Sequence, residues 1–275
     1  MRTILACLTG AVLLWIPVEA QQRPAIEQLH GVLERIANTP DSVTIPAPES
    51  LADRVAALPS ASVADVNYIL PTARACLLSS NPVVKKHGLA VLIGVALRAD
   101  SASLLSGLLS DLAPMLDDLD AGIRTGAMFV MSTLHPHSPS VVLQYLTPRL
   151  MDASRSVAEV LNLAGGMLAV APDDQTVIEQ IVKVAKQRPQ KELVGGVLQR
   201  LGSVKTTNEE ALQFVDQSLS NSNREIRRDA VSSLIGRRPD VIRRFEARLR
   251  QIAEDPNEDR ITRSIASQVR ARARL

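Results

Sequence analysis

Aromatic residues are almost missing from this 275-residue chain: they make up 2% of it, against 46% for apolar residues as a whole. Beyond residue 20 only Phe129, Phe214, Phe245, Tyr68 and Tyr145 remain. The core must therefore be built from Leu, Val, Ile and Ala, which suits close packing of short helices. The same scarcity argues against functions that lean on exposed rings, such as sugar-stacking lectin sites and single-strand nucleic-acid grooves. Cysteine is just as scarce. Cys7 lies in the N-terminal apolar run, and Cys76 sits among Ala73, Ala75, Leu77 and Leu78, a setting for a buried, inert thiol. Lysine stops at Lys205, and every later base is arginine.

Long apolar runs are missing too, except one. Met1-Arg2-Thr3 precedes a run from Ile4 to Val18, and Val18-Glu19-Ala20 follows as a small-x-small site. That order is the pattern of a secretory signal peptide, with cleavage expected after Ala20. The run is interrupted by Pro17 and is short for a membrane span, a retained anchor being the alternative. The expectation is an exported protein, periplasmic or extracellular, with one cysteine left and hence no intrachain disulfide.

What the chain does have is repetition. After residue 80 a helical phrase recurs six times, opened by Val84, Ile123, Val157, Leu193, Ile226 and Ile261, at spacings of 39, 34, 36, 33 and 35 residues. A period in that range means helical hairpins stacked on one another, because one hairpin cannot bury its own apolar face. Pro114 and Pro148 each stand nine residues before their anchor. In the second unit Asp120 is placed to cap a helix whose stripe is Ile123, Ala127, Val130, Met131 and Leu134. Upstream, residues 24–38 read as an amphipathic helix, Asn38 to Pro48 as a loop or linker, and Glu49–Leu58 and Ser62–Leu78 as further helices.

The phrases Pro114–Asp120–Ile123–Arg124 and Asn223–Glu225–Ile226–Arg227–Ala230–Leu234 resemble the HEAT repeat family. Pro148–Asp152–Val157 and the phrase at Leu193 match it in part, with Ala158 and Val194 in the basic slot, and armadillo-like units are near neighbours. The resemblance covers residues 60–275. It implies an all-α chain, a right-handed α-solenoid of about six HEAT-like helical hairpins. The expected division is a signal peptide at 1–20, N-terminal helices, cap and linker at 21–59, and the array at 60–275. The family pattern also implies that Lys85, Arg124 and Arg227, equivalent slots after their anchors, pair with aspartates of adjacent repeats, with Asp120 part of the same ladder.

Chemistry-bearing motifs are few. His135-Pro136-His137 brings two imidazoles together without a local third ligand, so no metal is expected. There is no Gly-x-Ser-x-Gly elbow and no His-Glu-x-x-His helix. Gly165-Gly166 and Gly195-Gly196 fall inside helical phrases, where small residues let neighbouring helices approach. The expectation is no enzyme, no catalytic residue and no cofactor.

The formal net charge is +2, unevenly spread: from Asn223 to Leu275 there are 14 Arg against 8 Asp plus Glu. Arg227, Arg228, Arg237, Arg238, Arg243, Arg244 and Arg248 are therefore candidates for holding an anion or a partner, with interleaved acids favouring a solvated surface. Overall the sequence points to a non-catalytic scaffold or adaptor with a protein partner. The second reading is an anion-binding module for acidic lipid, an envelope polyanion or nucleic acid, with DNA disfavoured by export. A cryptic enzyme is the third.

Overall fold

In the computed structural model, residues 18–38, 63–97, 102–133 and 139–273 are described. They contain helices and turns and no strand. Two compact units divide the chain, Met1–Leu134 and His135–Leu275. The predicted helix at Glu49–Leu58, and Leu134, His135 and His137, lie outside the described residues.

The first unit opens with α1 (Val18–Ala37), which buries Ile26, Leu29, Leu33 and Ile36 on one stripe. That stripe lies on α2 (Val63–Leu77) and α3 (Pro82–Ala96). Asn81 accepts a bond from the Val83 N–H and Pro82 takes the first helical position, where its missing N–H costs nothing. Helix α3 is covered on several sides, and even His87 is fully buried. The His87 ring meets its need internally, Nδ1 donating to the Val83 carbonyl at 2.8 Å.

The segment before the next capped helix departs from a regular α-helix. It runs as a 3-10 stretch (Ala102–Leu108), one α turn, α4 (Leu109–Leu112), and a second 3-10 stretch (Ala113–Asp117). Pro114 supplies a reason, since it has no N–H to give and its ring crowds the preceding turn. Then Asp120 caps α5 (Ala121–Thr133), accepting from Gly122 and Ile123, and Ile123, Ala127, Val130 and Met131 are all fully buried. Helices α3 and α5 pack side by side.

The second unit contains α6 (Pro139–Leu150), α7 (Val157–Val170), α8 (Gln175–Gln187), α9 (Lys191–Val204), α10 (Glu209–Leu219), α11 (Arg224–Ser232), α12 (Pro239–Arg243), α13 (Glu246–Glu254) and α14 (Arg260–Arg272). Helices pack in pairs, α6 with α7, α8 with α9, α10 with α11, and α13 with α14. The second members also pack on each other in chain order, α7 on α9, α9 on α11 and α11 on α14. The segment from Pro239 to Glu254 tightens at Arg244 and Phe245 into i→i−3 bonds, so it forms two helices, α12 and α13.

Capping chemistry sets the register of the buried anchors. Where Asn81, Asp120, Gln190 and Asn223 precede the helix, the third helical residue is the buried anchor: Val84, Ile123, Leu193 and Ile226. Two expected anchors are displaced. Asp259 caps α14, so the buried third residue is Thr262 and Ile261 stands 61% exposed. Ser156 forms a capping box with Glu159, which takes the third position for its carboxylate and leaves burial to Val160, with Val157 only half-buried.

Cap carboxylates make the fold acid-sensitive. Asp118 is held below the usual range by the Asp120 N–H and Lys85, Asp120 by Lys86 and the Ile123 and Gly122 N–H groups, and Asp259 by the Thr262 hydroxyl and N–H. Their folded-state pKa values lie below the unfolded ones, so their contribution is present above the unfolded value and lost as pH falls through the folded one. Urea midpoints are expected to hold level from neutrality to about pH 5 and to decline below about pH 4. A midpoint unchanged at pH 3 would contradict this.

Candidate functional site

The seven candidate arginines are not gathered into one patch. Arg237 is 5% exposed and donates to three backbone carbonyls, Ser233 at 3.0 Å, Leu201 at 2.9 Å, and Thr206. Burial pushes its guanidinium down to about 10, still protonated at neutral pH. Arg227 pairs with the buried Glu258 at 2.5 Å and donates to the Asn221 and Ser222 carbonyls. Arg244 pairs with Glu209 at 2.6 Å, Arg238 makes a two-pronged bond to Asp240, and Arg243 donates to the Ala273 carbonyl. Arg228 and Arg248 point to solvent, Arg228 close enough to Asp259 to lower its pKa.

The ladder residues act in the turns. Lys85 reaches Asp118 at 2.9 Å, across 33 residues of sequence. Arg124 bonds the Asp118 and Leu119 carbonyls, six and five residues before it. Arg227 treats Asn221 and Ser222 in the same way at the same offsets. Further bonds connect positions one repeat apart: Arg188 with the Arg155 carbonyl, Asn208 with Gln175, Lys191 with Glu225, and Arg244 with Glu209. The Arg188 and Asn208 bonds are partly buried and the Lys191–Glu225 and Arg244–Glu209 pairs exposed, so together they fix the spacing between neighbours more than they add stability.

An open cleft of about 380 Å³ lies along the second-member row of the second unit. Leu161, Lys191, Glu192, Gly195, Gly196, Gln199, Arg200, Glu225 and Asp229 line it, contributed by α7, α9 and α11. Glycine lets its walls close in. A Cβ at Gly196 would come within 2.6 Å of the Leu161 methyls, one at Gly165 within 3.2 Å of Arg200 Nε, and one at Gly195 would collide with the Asp229 carboxylate. Lys191 is held by Glu225 at 3.1 Å, which raises its pKa. Asp229 accepts from Gln199 at 3.3 Å. Arg200 is half-buried and donates to the Gly196 carbonyl at 3.1 Å, and desolvation lowers its pKa.

No protein-family model and no curated protein matches the chain.

The sequence reading did not select Lys191, Arg200 or Asp229. The available signal was the doublet Gly195-Gly196, read there as a place of close helix approach, which is its role in the structure. In the first unit Thr72 Oγ1 lies 3.0 Å from His30 Nε2, and the His30 ring stacks on Tyr68 at 4.4 Å. Glu34 stands 3.8 Å from His30 Nδ1, beyond a hydrogen bond, so the group ties α1 to α2 and does not form a relay. Among the described residues no three His, Cys, Asp or Glu side chains are grouped to hold a metal, and no described helix is long and apolar enough to cross a membrane.

Cys76 is buried, its thiol directed to the Leu33 carbonyl at 4.0 Å and pushed up to about 11 by burial. In a Cys7→Ser chain, Cys76 is expected to resist a thiol reagent at pH 8 while folded and to react fully once unfolded. Prompt reaction of the folded chain would show that α1 leaves α2 readily.

Proposed function

We propose that the chain is an exported, non-catalytic scaffold: a right-handed α-solenoid of about six HEAT-like hairpins that presents a helical surface to a protein partner. The observation that carries this reading is the recurrence of one set of polar bonds between positions about one repeat apart, Lys85 to Asp118 and Arg227 to Glu258 among them. Side-by-side packing of α7, α9, α11 and α14 supports it, since such a row leaves each helix one outer face for a partner. The proposed compartment is the periplasm or the exterior, on the strength of the N-terminal sequence pattern.

The anion-binding reading draws less support. Of its seven arginines, five are engaged with carboxylates or carbonyls of the second unit, and engaged guanidinium groups have fewer donors left for an external anion.

Affinity capture from an envelope extract, at low and at high salt, separates the two. A protein retained at both salt levels is the expected result, because an interface with an apolar centre weakens only modestly with ionic strength. Retention of an acidic lipid or polymer that vanishes at high salt would overturn the scaffold in favour of the anion module.

A further inference from the structure

In the cleft between α7, α9 and α11 a cavity, a cation without an acid partner and an available acceptor meet. Lys191 and Glu225 already satisfy each other at 3.1 Å. Arg200 differs. Its one bond is to a backbone carbonyl, Gly196, and it lies against Gly165 half-removed from water. A guanidinium desolvated without an acid partner gains most from an incoming carboxylate, which matches it through two parallel N–H bonds. Across the cleft, Asp229 has one carboxylate oxygen bonded to the Gln199 amide and the other laid over Gly195. The site therefore offers a cationic contact and an anionic contact over a floor of helix backbone. Its volume of about 380 Å³ suits a few residues of extended chain, and its openness suits a segment that enters and leaves along the surface.

We infer that this cleft binds a short extended peptide segment that sets a carboxylate on Arg200 and a basic side chain on Asp229. The inference rests on the scaffold reading and names the chemistry of its partner. The carboxylate has two sources, a chain's C-terminus or an acidic side chain. Aromatic anchors are not called for, since Leu161 is the only sizeable apolar side chain in the lining.

Nuclear magnetic resonance titration of the full chain tests this with three probes. They are acetyl-Lys-Ala-Ala-Glu-amide, acetyl-Lys-Ala-Ala-Ala with a free C-terminus, and acetyl-Lys-Ala-Ala-Gln-amide. The first, the second, or both are expected to give saturable shifts at the Gly195, Gly196 and Arg200 signals, with dissociation constants of about 1 mM or below, and the third to bind about tenfold more weakly. Which of the first two binds tells side-chain from terminal carboxylate. Arg200→Gln is expected to abolish the preference for a carboxylate, Arg200→Lys to keep part of it, and Asp229→Asn to weaken all three probes. Unchanged melting temperatures of the Lys and Asn variants establish that the fold survives. No saturation by about 10 mM, or equal affinity in wild type and Arg200→Gln, would overturn the inference. Its failure is distinguishable from failure of the scaffold: a protein captured from extract whose retention ignores Arg200→Gln leaves the scaffold standing and removes this site.

Discussion

Replacing Arg237 by alanine is expected to be among the most damaging single changes in the second unit. The side chain lies in a buried position and ties the end of α9, through the Leu201 and Thr206 carbonyls, to the turn after α11, through Ser233. Removing it leaves three carbonyls short of a donor in a space too confined for each to regain water. At about 1–3 kcal/mol for each buried polar group left unsatisfied, and with some water admitted, the loss should reach about 3 kcal/mol or more. Arg237→Lys should recover a fraction, since one ammonium keeps the charge but cannot reproduce the planar fork. Arg238→Ala is the matched control: Arg238 is exposed and bonded only to Asp240, two residues away, so its loss should stay within about 0.5 kcal/mol. Urea unfolding measures all three, and an Arg237→Ala variant within about 1 kcal/mol of wild type would refute the account.

The second large effect is expected at Gly88 in α3. A Cβ there would lie 2.9 Å from the Ala73 carbonyl oxygen and 2.9 Å from Cys76 Cβ, so the obstruction includes backbone that cannot swing aside. Gly88→Ala gains about 1 kcal/mol of helix propensity, yet overpacking costs about 1–3 kcal/mol, so the net change should be destabilising. Gly88→Val, larger and β-branched, should cost about 3 kcal/mol or more by forcing α2 and α3 apart. Gly107 is the counterpart, with nothing within 4 Å of an added Cβ. Gly107→Ala should be neutral or slightly stabilising through a less flexible unfolded chain. A thermal melt of the variants decides the sign, and Gly88→Val melting with wild type would show the contact to be loose.

Much of the local organisation was legible. The start at Asp120 could be read because a cap needs a short polar acceptor, and Asn81, Asn223 and Asp259, which the sequence reading did not name as caps, accept from the following turn in the same way. The stripe Ile123, Ala127, Val130 and Met131 was legible because 3.6-residue periodicity survives in any amphipathic helix. The misplaced anchors show the boundary of that method. Ile261 is the more apolar residue, but the cap at Asp259 rotates Thr262 inward, and rotation is fixed by where the helix begins. The arginines were harder. Arg227, Arg237 and Arg244 look alike in sequence, and their use depends on acceptors that lie 31 to 36 residues away: Glu258, Leu201 and Glu209.

By itself the sequence determined the helical class, the aliphatic core and the Asp120 cap, because each rests on interactions within one or two turns of chain, and the period of the repeated phrase, which is a property of the residue order alone. Tertiary structure decided which arginines are engaged inside the fold, which glycines must stay glycine, and that Arg200 and Asp229 share one cleft with Lys191 and Glu225. Those outcomes depend on how closely neighbouring helices approach, a distance set by residues 12 to 36 positions apart and invisible to any local pattern.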